Sequence, residues 1–189
     1  GQGGEGQGEA RSRRVFFALW PDAEASGHLA ALGHSLAGGG GRAIRPASLH
    51  LTLAFVGSVT PSQVAELERI AAAVRADAFE LSLDRLGFWP QRGILWAGCR
   101  QTPAPLRRLG EMLGAELRAA GFAIAARSGS AQVPHVTLAR RVRCASLPRL
   151  ETPVRWPVGE FALVETHLHP SAASYQTLAS FPLAAADLD

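Results

Sequence analysis

Apolar residues follow two periods along this chain, and the change from one to the other marks out its elements. Residues 15–20 (VFFALW) form a short unbroken apolar run, which suits a buried strand. Pro21 and Asp22 then open a helix, with Asp22 as its cap, that ends near Leu36 and is broken by the glycines at 38–41. Residues 50–56 (HLTLAFV) read as a second strand. Thr60-Pro61-Ser62-Gln63 predicts a helix start, with a capping hydroxyl, proline at the first position and glutamine three after the cap. Val64, Leu67, Ala71 and Val74 give that helix its apolar face. Phe79, Leu81 and Leu83 alternate with Glu80, Ser82 and Asp84, the period of a half-exposed strand. A strand over 94–98 follows, and then a helix marked by Leu106, Leu109, Leu113 and Leu117, with Met112 among them, ended by Gly121. Strands at 135–139, near 161–168 and near 175–183 complete the pattern. Residues 1–13, rich in Gly, Gln and Glu, carry nothing to bury and are expected to be a disordered leader. A single domain over 14–184 and a short tail at 185–189 remain.

The order of elements suggests a duplication. Residues 15–20, a helix and His50-Leu51-Thr52-Leu53 make one unit; residues 94–98, a helix and His135-Val136-Thr137-Leu138 make another. Each is a strand, a helix, then a strand carrying His-x-Thr-Leu. Two such lobes related by a pseudo-twofold axis would bring the two motif strands together across a cleft.

Side chains i and i+2 share one face of a strand. His50 and Thr52 therefore point together, as do His135 and Thr137, while Leu51, Leu53 and Phe55, like Val136 and Leu138, face the other way. The sheet would have an apolar back under the helices and a polar front. A histidine exchanges a proton near neutral pH, and a threonine hydroxyl can hold a phosphoryl oxygen. In-line displacement at phosphorus needs a base on one side, an acid on the other and donors for the equatorial oxygens. One His-x-Thr in a strand is commonplace and usually structural. Two copies, each reached through the same strand-helix lead, point to catalysis.

Composition narrows the field further. The chain has 189 residues, 47% of them hydrophobic and 19% charged, enough to bury a sizeable core. It has no apolar run of about 18 residues and no charged segment leading into an apolar one. We therefore expect no membrane span, no secretory signal and a cytoplasmic location. Cys99 and Cys144 are too few for a disulfide framework or a structural zinc site and read as buried or half-buried thiols. Net charge is +3, and all 19 basic residues are arginine. Guanidinium forks favour phosphate partners, although the excess is too small for a large nucleic-acid footprint.

The residues LHLTLAFVG at 49–57 and PHVTLARR at 134–141 resemble the paired motifs of the two-histidine phosphoesterases. More closely, they resemble the bacterial RNA 2',3'-cyclic phosphodiesterases called ThpR or LigT, the "2'-5' RNA ligase" family. The likeness runs from about Arg14 to Leu183 and takes in the FFALW opening, a GFWPQRGILWAG segment like the family's middle strand pair, and a closing stretch with Tyr175. It implies an α+β bilobal fold, two antiparallel sheets related by a pseudo-twofold with helices outside and a central cleft. It also implies metal-independent hydrolysis of a terminal ribose 2',3'-cyclic phosphate to a 2'-phosphomonoester. By motif position His50 would protonate the leaving 3' oxygen and His135 would activate water; Thr52 and Thr137 would bind the non-bridging oxygens. No cofactor or metal is implied. The partners are RNA ends or small nucleotides, and the protein is expected to be a monomer. Cleavage or ligation of 2'-5' linkages at the same site is the alternative, and a silent nucleotide-binding module is another.

Arg140 matches a family arginine that approaches the phosphate. Strict alternation from His135 instead puts Arg140 on the back and Arg141 on the front, so either the strand ends or bulges after Ala139, or Arg141 is the ligand. Aromatic faces can stack on a terminal base. Trp89, beside Pro90 and Arg92, and Phe55 are the candidates, although alternation favours the core for Phe55, as the apolar strand does for Trp96. His167 and His169 share a strand face but lack a carboxylate at ligand spacing, so they read as an exposed or satisfied pair. His28 and His34 read as surface residues.

Overall fold

A computed structural model describes residues 12–124, 133–143 and 146–185. In chain order the strands are β1 (Arg13–Leu19), β2 (Arg42–Ala43), β3 (Leu51–Val59), β4 (Phe79–Leu83), β5 (Arg85–Trp89), β6 (Ile94–Gly98), β7 (His135–Arg140), β8 (Val154–Val158), β9 (Glu160–Leu168) and β10 (Ala173–Pro182). The helices are α1 (Ala23–Leu36) between β1 and β2, α2 (Pro61–Ala73) between β3 and β4, and α3 (Ala104–Ala119) between β6 and β7. Cys144 and most of the expected leader and tail lie outside the described residues. Arg13, at the end of the expected leader, belongs to β1 and pairs with Val59.

The helices begin where their caps sit. Asp22 accepts from the Ala25 amide at 2.9 Å, and Thr60 and Gln63 close a full capping box ahead of α2. Leu106, Leu109, Leu113 and Leu117 of α3 are all fully buried, and Met112, off that stripe, is exposed. Val154, Trp156 and Val158 of β8 are buried against β4, with Arg155 and Pro157 facing out. The proline is tolerated because this two-stranded sheet leaves each strand an open edge.

The main sheet runs β10-β9-β1-β3-β7-β6-β5, antiparallel throughout, with β2 alongside β7. Its two halves, β10-β9-β1-β3 and β7-β6-β5, meet at one residue pair, Leu51 with Val136. Each of those residues directly follows a motif histidine, so the pseudo-twofold passes between them. The helices cross over: α1, which follows β1, packs against β7, and α3, which follows β6, packs against β3. Gly33 permits the α1 contact, because a Cβ there would come within 2.5 Å of the Leu138 carbonyl oxygen.

Both motif strands carry a bulge at the same place. Ala18 pairs with Thr52 and Phe17 with Ala54, leaving Leu53 extra; Trp96 pairs with Thr137 and Leu95 with Ala139, leaving Leu138 extra. An extra residue reverses the alternation beyond it. Leu53 and Ala54 are therefore both buried, as are Leu138 and Ala139. The fifth residue after each histidine, Phe55 or Arg140, is exposed.

Candidate active site

The apolar backs of β3 and β7 put Leu51 and Val136 under the helices, 1% and 0% exposed, so the residues on either side turn to the front. Antiparallel register around that pair sets Thr52 opposite His135, and His50 opposite Thr137. All four line a cleft of about 540 Å³, together with Arg42, Arg45, Arg140, Arg141 and Tyr175. The duplicated motif pointed to this meeting of residues far apart in the chain.

Each histidine is held in the same way. His50 Nδ1 lies 2.8 Å from the Ser48 carbonyl, and His135 Nδ1 lies 2.8 Å from the Val133 carbonyl. A carbonyl only accepts, so Nδ1 carries the proton and Nε2 presents its lone pair in the neutral ring. Both rings are also wedged by aromatics. Phe16, Trp20 and Tyr175 surround His50 at centroid distances of 5.1, 5.5 and 4.9 Å. Trp89 stands edge-on to His135 at 4.7 Å, with Trp96 at 6.3 Å. Two backbone-locked imidazoles flanked by two hydroxyls can relay one proton in and one out across a small anionic group.

Burial lowers both histidine pKa values below 6.5, outweighing the carbonyl contacts that favour the charged ring. For His50, Arg140 and then His135 push further in the same direction; for His135, Arg92 and Arg140 do so. The rings therefore share Arg140 as a positive neighbour.

The bulge at Leu138 resolves the conflict between alternation and motif likeness. Arg140 reaches the front face because alternation has already reversed before Ala139. Arg141 follows it out of the strand in a left-handed conformation, φ 56°, and also lines the cleft. The equivalent bulge at Leu53 corrects the core placement of Phe55, which is 51% exposed.

Of the aromatics expected as stacking faces, Phe55 is off the cleft wall and Trp89 packs beside the cleft-lining His135. Phe55 lies under the Arg14 guanidinium at 5.5 Å, and Trp89 is turned against His135 and Trp96. Trp96 is buried as expected. Tyr175 is the aromatic on the cleft wall, brought from β10 to His50, and Trp20 beside it donates from Nε1 to Thr177 Oγ1 at 3.1 Å. Their role was missed because strand periodicity gives no sign that β10 folds back beside β1 through β9. His167 pairs with Gln176 at 3.1 Å and His169 with Ser174 at 2.9 Å, outside the cleft; contrary to expectation a carboxylate does share their strand face, Glu165 at 3.9 Å from His167. Cys99 donates to the Ser82 carbonyl, and burial, with Asp84 adding to it, pushes its thiol up to about 11. Among the described residues no group of three His, Cys, Asp or Glu is placed to hold a metal ion, and no helix is long and apolar enough to cross a membrane.

The family profile "LigT like Phosphoesterase" matches residues 19–96. An RNA 2',3'-cyclic phosphodiesterase of Escherichia coli is 38% identical over 105 residues, 53% of this chain and 55% of the relative, so the chain spans about half the length of that relative. One from Thermus thermophilus is 33% identical over 160 residues, 76% of each chain. The crystal structure of E. coli LigT complexed with 3'-AMP superposes with a TM-score of 0.81, at 28% identity, over 92% of this chain and 99% of the other. A shared third of the residues over three quarters of two chains, on a common α+β fold, places this chain in the LigT-like phosphoesterase family.

Proposed function

We propose that this chain hydrolyses the terminal 2',3'-cyclic phosphate of RNA, breaking the bond from phosphorus to the 3' oxygen and leaving a 2'-phosphomonoester. The observation that carries the reading is the pair of matched imidazoles, each locked through Nδ1 to a carbonyl and each beside a threonine, facing one cleft from twofold-related strands. His135 Nε2 accepts a proton from the attacking water, and His50 Nε2 gives one to the departing 3' oxygen. Thr52 and Thr137 donate to the non-bridging oxygens, and Arg140 balances the charge that builds there. The relatives' activity and the nucleotide bound by E. coli LigT support this substrate class. The 3' oxygen leaves phosphorus on the His50 side while the 2' ester keeps the ribose attached, and Tyr175 beside His50 offers a ring to the base.

The test is a short RNA ending in a 2',3'-cyclic phosphate, incubated in excess EDTA with wild type, His50→Ala and His135→Ala. Conversion to a 2'-phosphate end, lost in both variants, is the expected result. No turnover by the intact protein would overturn the reading. A 2'-5'-linked dinucleotide in the same assay then separates the linkage alternative from a silent binding cleft.

A further inference from the structure

The cleft holds more positive charge than a cyclic phosphate requires. A cyclic diester carries one negative charge, and the arginine whose charge reaches both histidines is Arg140. Three further arginines, Arg42, Arg45 and Arg141, line the same cleft, with no Asp or Glu on its wall. Among the described residues none of the four has a carboxylate partner. Arg42 sits directly across from Arg140 where β2 pairs with β7, and like charges so placed repel. The fold also holds Arg141 in a left-handed conformation. The Val142 amide donates to the Gly93 carbonyl at 3.0 Å, and Gly93, itself at φ 62°, lies against the Arg141 backbone. A non-glycine residue kept in that region signals a constraint worth a functional reading. β2 lies beside the Arg140 end of β7, past the Leu51–Val136 pair where β3 leaves it. Arg42 and Arg141 therefore stand at the Arg140 end of β7, away from the Leu51–Val136 pair.

We propose that Arg42, Arg45 and Arg141 form a second anion subsite that takes a phosphate on the 5' oxygen of the nucleoside whose cyclic phosphate is being opened. In RNA that group is the internucleotide phosphate; in a free nucleotide it is a 5'-phosphate. The subsite rests on the cyclic phosphodiesterase reading and makes an RNA end, or a 5'-phosphorylated nucleotide, a better substrate than a bare nucleoside cyclic phosphate.

The experiment compares kcat/KM for three substrates: adenosine 2',3'-cyclic phosphate, the same compound carrying a 5'-phosphate, and the dinucleotide ApA ending in a 2',3'-cyclic phosphate. Each is run with wild type, Arg45→Gln, Arg141→Gln and the double variant. A charge-assisted contact of this kind predicts a gain of about tenfold or more from the added phosphate. The double variant should lose that gain, read as the ratio of kcat/KM for the phosphorylated substrate to that for the bare nucleoside. The dinucleotide arm shows whether a diester serves as well as a monoester. No gain in wild type, or a gain that survives the double variant, overturns the subsite. Should no substrate turn over, the catalytic reading fails by itself. Calorimetric affinities for adenosine 2'-phosphate and adenosine 2',5'-bisphosphate then decide the subsite, which again requires about tenfold tighter binding of the bisphosphate, lost in the double variant.

Discussion

At the scale of single residues, the site depends on proton positions that the backbone sets. Burial and Arg140 disfavour the imidazolium at His50 and His135 alike, so in the free enzyme both titrate below 6.5. The proposed mechanism needs one ring protonated and the other neutral. The maximum of kcat/KM should therefore lie on the acid side of 6.5 and decline above it. Removing a positive neighbour raises both values, so Arg140→Gln should move the whole profile to higher pH while lowering its height. A profile that keeps its position in that variant would show that Arg140 does not reach the rings. In the proposed mechanism Thr52 and Thr137 donate to developing charge, so Thr52→Val and Thr137→Val should each cost about 10²- to 10³-fold in kcat, read in single-turnover assays of cyclic phosphate opening.

At the scale of elements, two bulged strands and one helix glycine place the site. Leu138 is the extra residue in β7, and its carbonyl is also what a Cβ at Gly33 of α1 would meet. Gly33→Ala puts a methyl against backbone that cannot swing aside, so we expect a loss of about 1–3 kcal/mol in urea unfolding and weaker catalysis as β7 shifts. Gly27, on the same helix, has nothing within 4 Å of an added Cβ. Gly27→Ala should stabilise by about 0.4–1 kcal/mol through the entropy of the unfolded chain. Opposite signs for one substitution at two positions on α1 are the test; equal signs would refute the close-approach account. The helix starts were legible at Asp22 and at Thr60 to Gln63, because a cap acts over three residues. β8 was not read, although Val154, Trp156 and Val158 alternate as a half-buried strand should, because Pro157 interrupts the ladder chemistry of the segment.

Across the whole molecule, the halves touch through one strand pair yet exchange helices. With α1 packed on β7 and α3 on β3, each half loses a covering helix if the other opens, although α2 stays against β10. Unfolding should therefore be a single transition, and the slowest amides of β1 and β6 should exchange with the same free energy of opening. Separate protection levels for the two halves would show that each is stable alone. Stability should also fall on acidification below about 6.5, because the unfolded chain binds protons at His50 and His135 that the folded one resists.

The sequence by itself determined what acts within a few residues or repeats along one strand. This covers the helix caps, the leucine stripe of α3 and the shared face of each His-x-Thr pair. The likeness of the two lobes followed from these. Only the tertiary structure decided where Phe55 and Arg140 point, since a bulge exists relative to a partner strand and no period within β3 or β7 reveals it. It alone set Tyr175 beside His50 and Arg42 across from Arg140, contacts made by residues remote from one another in the chain. Local periodicity records which face of an element is buried; what stands opposite that face is fixed by the order in which the elements pack.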